Sequence, residues 1–170
     1  FAAMNTFLPL QAKHLHLQAG LFFTSYGVSL VLVRLFLGGL ADRLDRDRLI
    51  FGCLIAFGFL LILTSQITVM VQTVFLGALF GICQGLSYPA MMARMVDKSD
   101  ESNRGVVVAL FTGSFGVGLN VSVLAWGLVG QVKGLVFMFF AGGLIMFVCA
   151  GLFWVSLALR GNHFQKRGVF

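Results

Sequence analysis

The chain has 170 residues, of which 59% are hydrophobic and 11% charged, with mean hydropathy +0.97 and a net charge of +6. A soluble globular domain carries about a quarter charged residues, so this composition excludes one and indicates an integral membrane protein. The basic excess does not argue for nucleic-acid binding, because no separate basic domain carries it.

Charged breaks divide the chain into six apolar segments, predicted as helices at about 1–12, 18–41, 49–66, 69–96, 105–130 and 135–159. The last five are long enough to cross a hydrocarbon core of about 30 Å. The first covers only about 18 Å at the helical rise, so the chain is read as starting inside a helix. Within a bilayer each segment must satisfy its own backbone hydrogen bonds, which at these lengths leaves helices as the fold. The expected architecture is therefore all-α: a polytopic six-helix transmembrane bundle, one domain over 1–170 with a basic tail at 160–170.

The cations are unevenly placed. Nine of the twelve Lys and Arg lie at Arg43, Arg46, Arg48, Arg94, Lys98, Arg104, Arg160, Lys166 and Arg167, all on one side of the predicted bundle. Lys13 and Lys133 fall on the other side, and Arg34 lies inside a span. The positive-inside rule makes the nine-charge side cytoplasmic, so the 42–48 loop, the 97–104 loop and the tail are expected there, with the protein multi-pass in the plasma (inner) membrane.

Polar residues concentrate on four segments. Asn5 and Thr6 lie on the first, Tyr26, Ser29 and Arg34 on the second, Gln84, Ser87 and Tyr88 on the fourth, and Thr112, Ser114 and Asn120 on the fifth. Lipid offers such groups no partners, so these four helices are expected to line an interior or cavity, while segments three and six face lipid as supports. Gly77, Gly81, Gln84 and Tyr88 share one helical face, as do Ala109, Gly113, Gly116, Asn120 and Gly127, and small residues at that spacing permit close helix packing. Pro89 is expected to kink or weaken the inner part of segment four.

Arg34 lies about 12 Å inside its helix end, counting from Asp42. It either snorkels towards the surface or faces a cavity, where a guanidinium would favour anionic or carboxylate-bearing substrates. Asn5, Tyr26, Arg34, Gln84 and Asn120 are the candidate cavity-lining residues. Cys53, Cys83 and Cys149 lie in apolar runs on three helices and read as buried free thiols rather than metal ligands or a disulfide. His14 and His16, two apart in a loop, do not form a metal site. No cofactor, catalytic triad or phosphate loop is indicated.

Gly38-Gly39-Leu40-Ala41-Asp42-Arg43-Leu44-Asp45-Arg46-Asp47-Arg48 resembles the signature loop of the major facilitator superfamily, in general form G-x-x-x-D-R-x-G-R-[RK]. Gly38, Asp42, Arg43 and Arg46 match, while Asp45 replaces a glycine and Asp47 a basic residue. Asn103-Arg104-Gly105 resembles the entry to the fifth helix of a six-helix half, and Gly81 to Pro89 resembles the pattern of the fourth. The resemblance implies one half of a twelve-helix transporter, built from two inverted three-helix repeats, with substrate at the midplane between halves. Phe7-Leu8-Pro9-Leu10, Leu21-Phe22-Phe23-Thr24 and the altered loop are more similar to second halves. It further implies a conformational gate of Gly38, Asp42, Arg43, Arg46, Arg94 and Arg104, in which the Asp42 carboxylate meets an arginine or a helix N-terminus.

The functional expectation is a non-enzymatic secondary transporter half that moves a small organic or drug-like solute by alternating access. Its partners would be the bilayer, a second six-helix half in the same polypeptide or a separate subunit, and a small-molecule substrate. All six acids lie at the charged side and none within a span, so a proton-coupling carboxylate would have to lie in the other half. The same facts favour a rival reading, a non-transporting structural subunit or assembly factor that kept the fold.

Overall fold

A computed structural model describes residues 1–15, 17–37 and 45–167, with side chains described as far as residue 159. Its helices are α1 (Ala2–His14), α2 (Ala19–Leu32), α3 (Arg46–Ser65), α4 (Met70–Asp97), α5 (Arg104–Lys133) and α6 (Leu135–Arg167). A π-helical turn, Val33–Leu37, extends α2, and a short 3-10 turn, Glu101–Asn103, leads into α5. No strand occurs among the described residues. Five stretches, starting at Ala19, Arg46, Met70, Glu101 and Leu135, are long and apolar enough to cross a membrane. Helix α6 continues as helix to Arg167, through much of the expected tail, and the expected end of the second segment at 41 lies outside the described residues. Helix α4 runs unbroken through Pro89, so the proline removes a hydrogen bond without ending the helix.

Local chemistry sets the boundaries. The Asp45 side chain accepts a hydrogen bond from the Asp47 N–H at 3.0 Å and so caps α3. Between α3 and α4, the Gln72 side chain reaches back to accept from the N–H groups of Thr68 (2.9 Å) and Val69 (3.3 Å). Helices α5 and α6 are joined through Gly134 alone, at φ +86°, a conformation that side-chain-bearing residues avoid.

Contacts arrange α1, α2, α4 and α5 in a ring in which each touches its two neighbours, with α3 and α6 packed together against it. Exchanging the first three helices with the last three maps α2–α4 onto α1–α5, α3–α4 onto α1–α6 and α1–α2 onto α4–α5, as two related three-helix repeats require. The packing is not equally tight. Helices α2 and α4 approach over Gly77, Gly81 and Gly85, where a Cβ on Gly77 would lie 2.5 Å from the Phe22 carbonyl oxygen and one on Gly85 would lie 3.0 Å from Val33. Helices α3 and α6 cross at Gly58 and Gly143, each of whose Cβ would strike the other's carbonyl oxygen, at 3.2 and 2.7 Å.

Helix α5 differs. None of its residues is buried, and Gly113 and Gly116 have open space where a Cβ would go. The expected packing stripe Ala109, Gly113, Gly116, Asn120 and Gly127 therefore makes little contact within this bundle, apart from Gly127 beside the Phe7 ring. Its small residues are directed outward, where they permit the approach of something other than these six helices. The expectation for the thiols also needs correction: Cys53 is buried and Cys83 half-buried, but Cys149 is exposed on α6.

The core collects on Phe80, which is 1% exposed and meets the rings of Phe1 (6.2 Å), Phe22 (6.2 Å), Tyr26 (6.0 Å) and Phe57 (5.0 Å). Such ring contacts contribute about 0.5–1.5 kcal/mol each beyond burial. The α2–α4 approach predicts that Gly81→Ala destabilises the full-length protein by roughly 1–3 kcal/mol through overpacking. Gly52→Ala, where nothing beyond its own helix backbone and chain neighbours lies within 4 Å of the added Cβ, should stay within about 0.5 kcal/mol of the parent. Thermal unfolding in detergent checks both, and equal stability of the two variants would contradict the close approach.

Candidate functional site

Helix α4 carries two adjacent faces. Gly77, Gly81 and Gly85 turn towards α2, and this places Gln84, Ser87, Tyr88 and Met91, spaced i, i+3, i+4 and i+7, on a neighbouring face. That second face walls a cavity of about 180 Å³, completed by Phe1 at the start of α1, Phe111 and Phe115 of α5, Leu54, Phe57 and Leu61 of α3, and Met146 of α6. Tyr88 packs between Phe111 (5.6 Å) and Phe115 (5.3 Å), and Phe115 also meets Phe1 (6.2 Å).

The polar groups in this apolar enclosure are unusual. Ser87 is only 3% exposed, and neither it nor Gln84 nor Tyr88 hydrogen-bonds another described residue. Ser87 is buried and Gln84 and Tyr88 are half-buried, and three polar side chains that line one cavity without protein partners form a surface suited to a ligand carrying its own donors and acceptors. The aromatic walls would take its apolar part.

The expected cavity set is brought together only in part. Gln84 lines the cavity. Tyr26 is half-buried but stacks on Phe22, with parallel rings 6.4 Å apart, and reaches the cavity only through Phe80. Asn120 is exposed on α5 and its side chain donates to its own helix at the Gly116 carbonyl, 2.8 Å away. Asn5 is half-buried on α1 but is not among the cavity residues. Arg34 lies exposed on the π-helical turn, beside exposed Leu35 and Phe36, and forms no ion pair among the described residues. The expectation that α2 lines the cavity while α3 and α6 stand apart is thus corrected: α3 and α6 supply apolar wall, and α2 backs α4 from behind. Ser87 and Phe115 belong to the site although neither was on the expected list; the i+3 spacing of Ser87 from Gln84 was the available signal.

The charged end holds a second constellation. Arg94, in the last turn of α4, pairs with Asp47 in the first turn of α3, and its guanidinium lies 4.9 Å from the centre of the Phe153 ring of α6. Arg46 pairs with Asp97 between the same two helix ends. Arg48 meets Asp45 at 3.4 Å and Arg104 meets Glu101 at 3.6 Å, each within its own local turn. Of the expected gate residues, Gly38, Asp42 and Arg43 lie outside the described residues. Among the described residues the carboxylate facing Arg94 is Asp47 and that facing Arg104 is Glu101, and the expected contact of Asp42 lies outside them. Asp47, which departs from the signature pattern by replacing a base, is therefore matched by a cation across the helix interface. Among the described residues no group of three or more His, Cys, Asp or Glu could hold a metal.

Membrane-length helices, charge at one end and a partly polar cavity in an apolar wall define a multi-pass membrane protein. The family model of the Major Facilitator Superfamily matches residues 1–168, and the chain belongs to that superfamily. It is similar to the curated protein "Probable anion transporter 2, chloroplastic" of Oryza sativa subsp. japonica, with 29% identity over 126 residues. That match covers 72% of this chain and 22% of the relative, so the chain spans about a fifth of the relative's length. No solved structure matches.

The side chains of Arg94 and Asp47 are 18% and 34% exposed, between the regimes of surface and buried pairs. A double-mutant cycle with Asp47→Asn and Arg94→Gln is expected to give a coupling energy of about 1 kcal/mol in thermal unfolding. Additive single-variant effects would show that the pair does not tie α3 to α4.

Proposed function

We propose that this chain forms one half of a secondary transporter of the plasma (inner) membrane that carries a small organic, drug-like anion by alternating access. The other half would be a second six-helix bundle, in the same polypeptide or as a separate subunit, and this chain would be the second half. The observation that carries the reading is the cavity into which Gln84, Ser87 and Tyr88 bring unpaired polar groups among aromatic rings. An anionic substrate is supported by Arg34, which lacks an ion pair among the described residues, and by the name of the rice relative. A guanidinium stays charged under all ordinary conditions and binds carboxylates through two parallel hydrogen bonds, which an ammonium cannot reproduce.

In this reading the charged end faces the cytoplasm, as the cation bias requires. Asp47–Arg94 and Arg46–Asp97 would act as a latch that holds α3 and α4 together in one state of the cycle and parts in the other, alongside Gly38, Asp42, Arg43 and Arg104 of the signature region. A single bundle offers only one wall of a central pathway, so the 170-residue chain reconstituted alone should not transport. Uptake by that chain unaided would overturn the half-transporter reading.

Uptake of radiolabelled organic anions into proteoliposomes that contain the full-length protein tests the substrate. Arg34→Lys should impair uptake and Arg34→Ala should impair it more, with both variants inserted and folded as the parent. Near-parental uptake by Arg34→Lys would return this arginine to a snorkelling role indifferent to substrate charge.

A further inference from the structure

The aromatic cavity around Gln84 is small enough for its size to restrict what enters. At about 180 Å³ it lies below the range of about 300–1,000 Å³ usual for whole small-molecule sites, yet above the roughly 150 Å³ of an apolar protein cavity that takes up benzene. It therefore admits one six-membered ring with a small substituent, and the rest of a larger ligand stays outside.

The wall favours a particular kind of ring. Tyr88 sets its ring against those of Phe111 and Phe115 at angles of 55° and 71°, Phe57 adds a further ring from α3, and Met91 and Met146 add thioether sulfurs. Tilted ring pairs and sulfur–ring contacts reward an aromatic guest over a saturated ring of the same size. The polar groups of the wall all come from one face of α4. Gln84 and Ser87 have no hydrogen-bond partner among the described residues, and the Ser87 hydroxyl, although the residue is buried, is not sealed by packed atoms and stays open to an occupant. A phenolic hydroxyl donates and accepts at once, so it can meet the Gln84 amide and the Ser87 hydroxyl together.

Charge fixes which way round such a ligand sits. No Asp, Glu, His, Lys or Arg lines the cavity, and a carboxylate buried there without a cation would lose more hydration than neutral hydrogen bonds return. An anionic group therefore remains outside. Helices α2 and α4 run parallel, because Gly77, Gly81 and Gly85 meet Phe22, Tyr26 and Val33 in that order. Arg34 follows Val33, so it stands at the depth of the Gly85 turn, level with Gln84 and Ser87 but on the α2 flank of α4.

Resting on the reading of this cavity as the ligand site of a transporter, we propose that its substrates are aryl carboxylates with a single hydroxylated ring. The ring lies in the cavity against Tyr88, Phe111 and Phe115, its hydroxyl meets Gln84 and Ser87, and the carboxylate stays outside on a short tether at the depth of Arg34.

The test is equilibrium dialysis of the full-length protein in detergent with radiolabelled 3-(4-hydroxyphenyl)propanoate, competed by 3-phenylpropanoate, 3-cyclohexylpropanoate or 3-(2-naphthyl)propanoate. The hydroxylated ring should bind at least about fivefold tighter than the plain ring, and the plain ring at least about threefold tighter than either the saturated or the fused one. The Gln84→Leu/Ser87→Ala pair should bring the hydroxylated and plain rings to within about twofold of each other, and Ser87→Ala alone, a smaller change, should lower that preference at least about twofold. Each ratio is read within one variant, so a general loss of stability does not imitate the result. Absence of binding, equal affinity for all four acids, tightest binding of the fused ring, or a parental hydroxyl preference in both variants would overturn the proposal. Uptake into proteoliposomes separates this from the transporter reading: uptake of organic anions with no such order among rings overturns the proposal alone, whereas the predicted order in dialysis without any uptake supports the site and overturns transport.

Discussion

The close approach of α2 and α4 governs the rest of this bundle. It exists because three glycines one turn apart leave no side chain between the α4 backbone and Phe22, Tyr26 and Val33 of α2. In a membrane, association cannot draw on the hydrophobic effect, since lipid is as apolar as the helices, so close van der Waals packing over small residues has to supply it. Once that face of α4 is committed to α2, the remaining geometry follows from helical periodicity. Phe80 is driven into the centre among rings from the start of α1, α2 and α3, and Gln84, Ser87 and Tyr88 are rotated away from α2 into the cavity. One set of contacts thus fixes both the core and the orientation of the candidate site.

Electrostatics imposes a second, independent order. Among the described residues the acids sit at one end, where Asp45, Asp47, Asp97 and Glu101 each pair with an arginine, and none lies within a span. At that end α3 presents the positive pole of its dipole with Asp45 as cap and Asp47 in its first turn, while α4 presents its negative pole with Arg94 in its last turn. Each side chain in the Asp47–Arg94 pair is therefore stabilised by its own helix before it meets the other. The contact of Arg94 with Phe153 extends the link to α6 and screens the pair from water. Partial exposure keeps the pair from being a rigid tie between the two helices.

Much of this was legible in the sequence, and the failures have physical causes. Helix number, lengths and order follow from unbroken apolar runs, which the bilayer leaves no other way to satisfy, and the signature loop identified the family on four matching residues. Which polar residues converge was far less legible. Hydropathy marks a residue as polar but does not say which neighbour its face meets. Asn120 satisfies itself by bonding back to Gly116, Tyr26 is absorbed into an aromatic stack, and Arg34 lies on an exposed π-helical turn. Asp47 looked like a defect in the signature because its partner lies 47 residues away on another helix. Gln84 and Tyr88 were placed on the glycine face, whereas one further turn resolves that stripe into two, with glycines on one side and polar residues on the other.

The inequality between the two repeats carries the last step. The pairs α2–α4 and α1–α5 correspond under the exchange of repeats, yet the first is sealed by glycines while the second leaves α5 without a buried residue. Gly113 and Gly116 face open space together with exposed Val117, Val121 and Leu124, and on α2 the exposed Val28, Val31, Leu32, Leu35 and Phe36 do likewise. Lipid alone would fit a face of large apolar residues as on α2. It gives no reason for a glycine-bearing face on α5, since glycine lowers helix stability and is favoured where another backbone comes close. The two open helices lie in the ring on either side of α4, the helix that carries the polar wall of the cavity. A partner seated on α2 and α5 would therefore cover their apolar surfaces and enclose that wall at once.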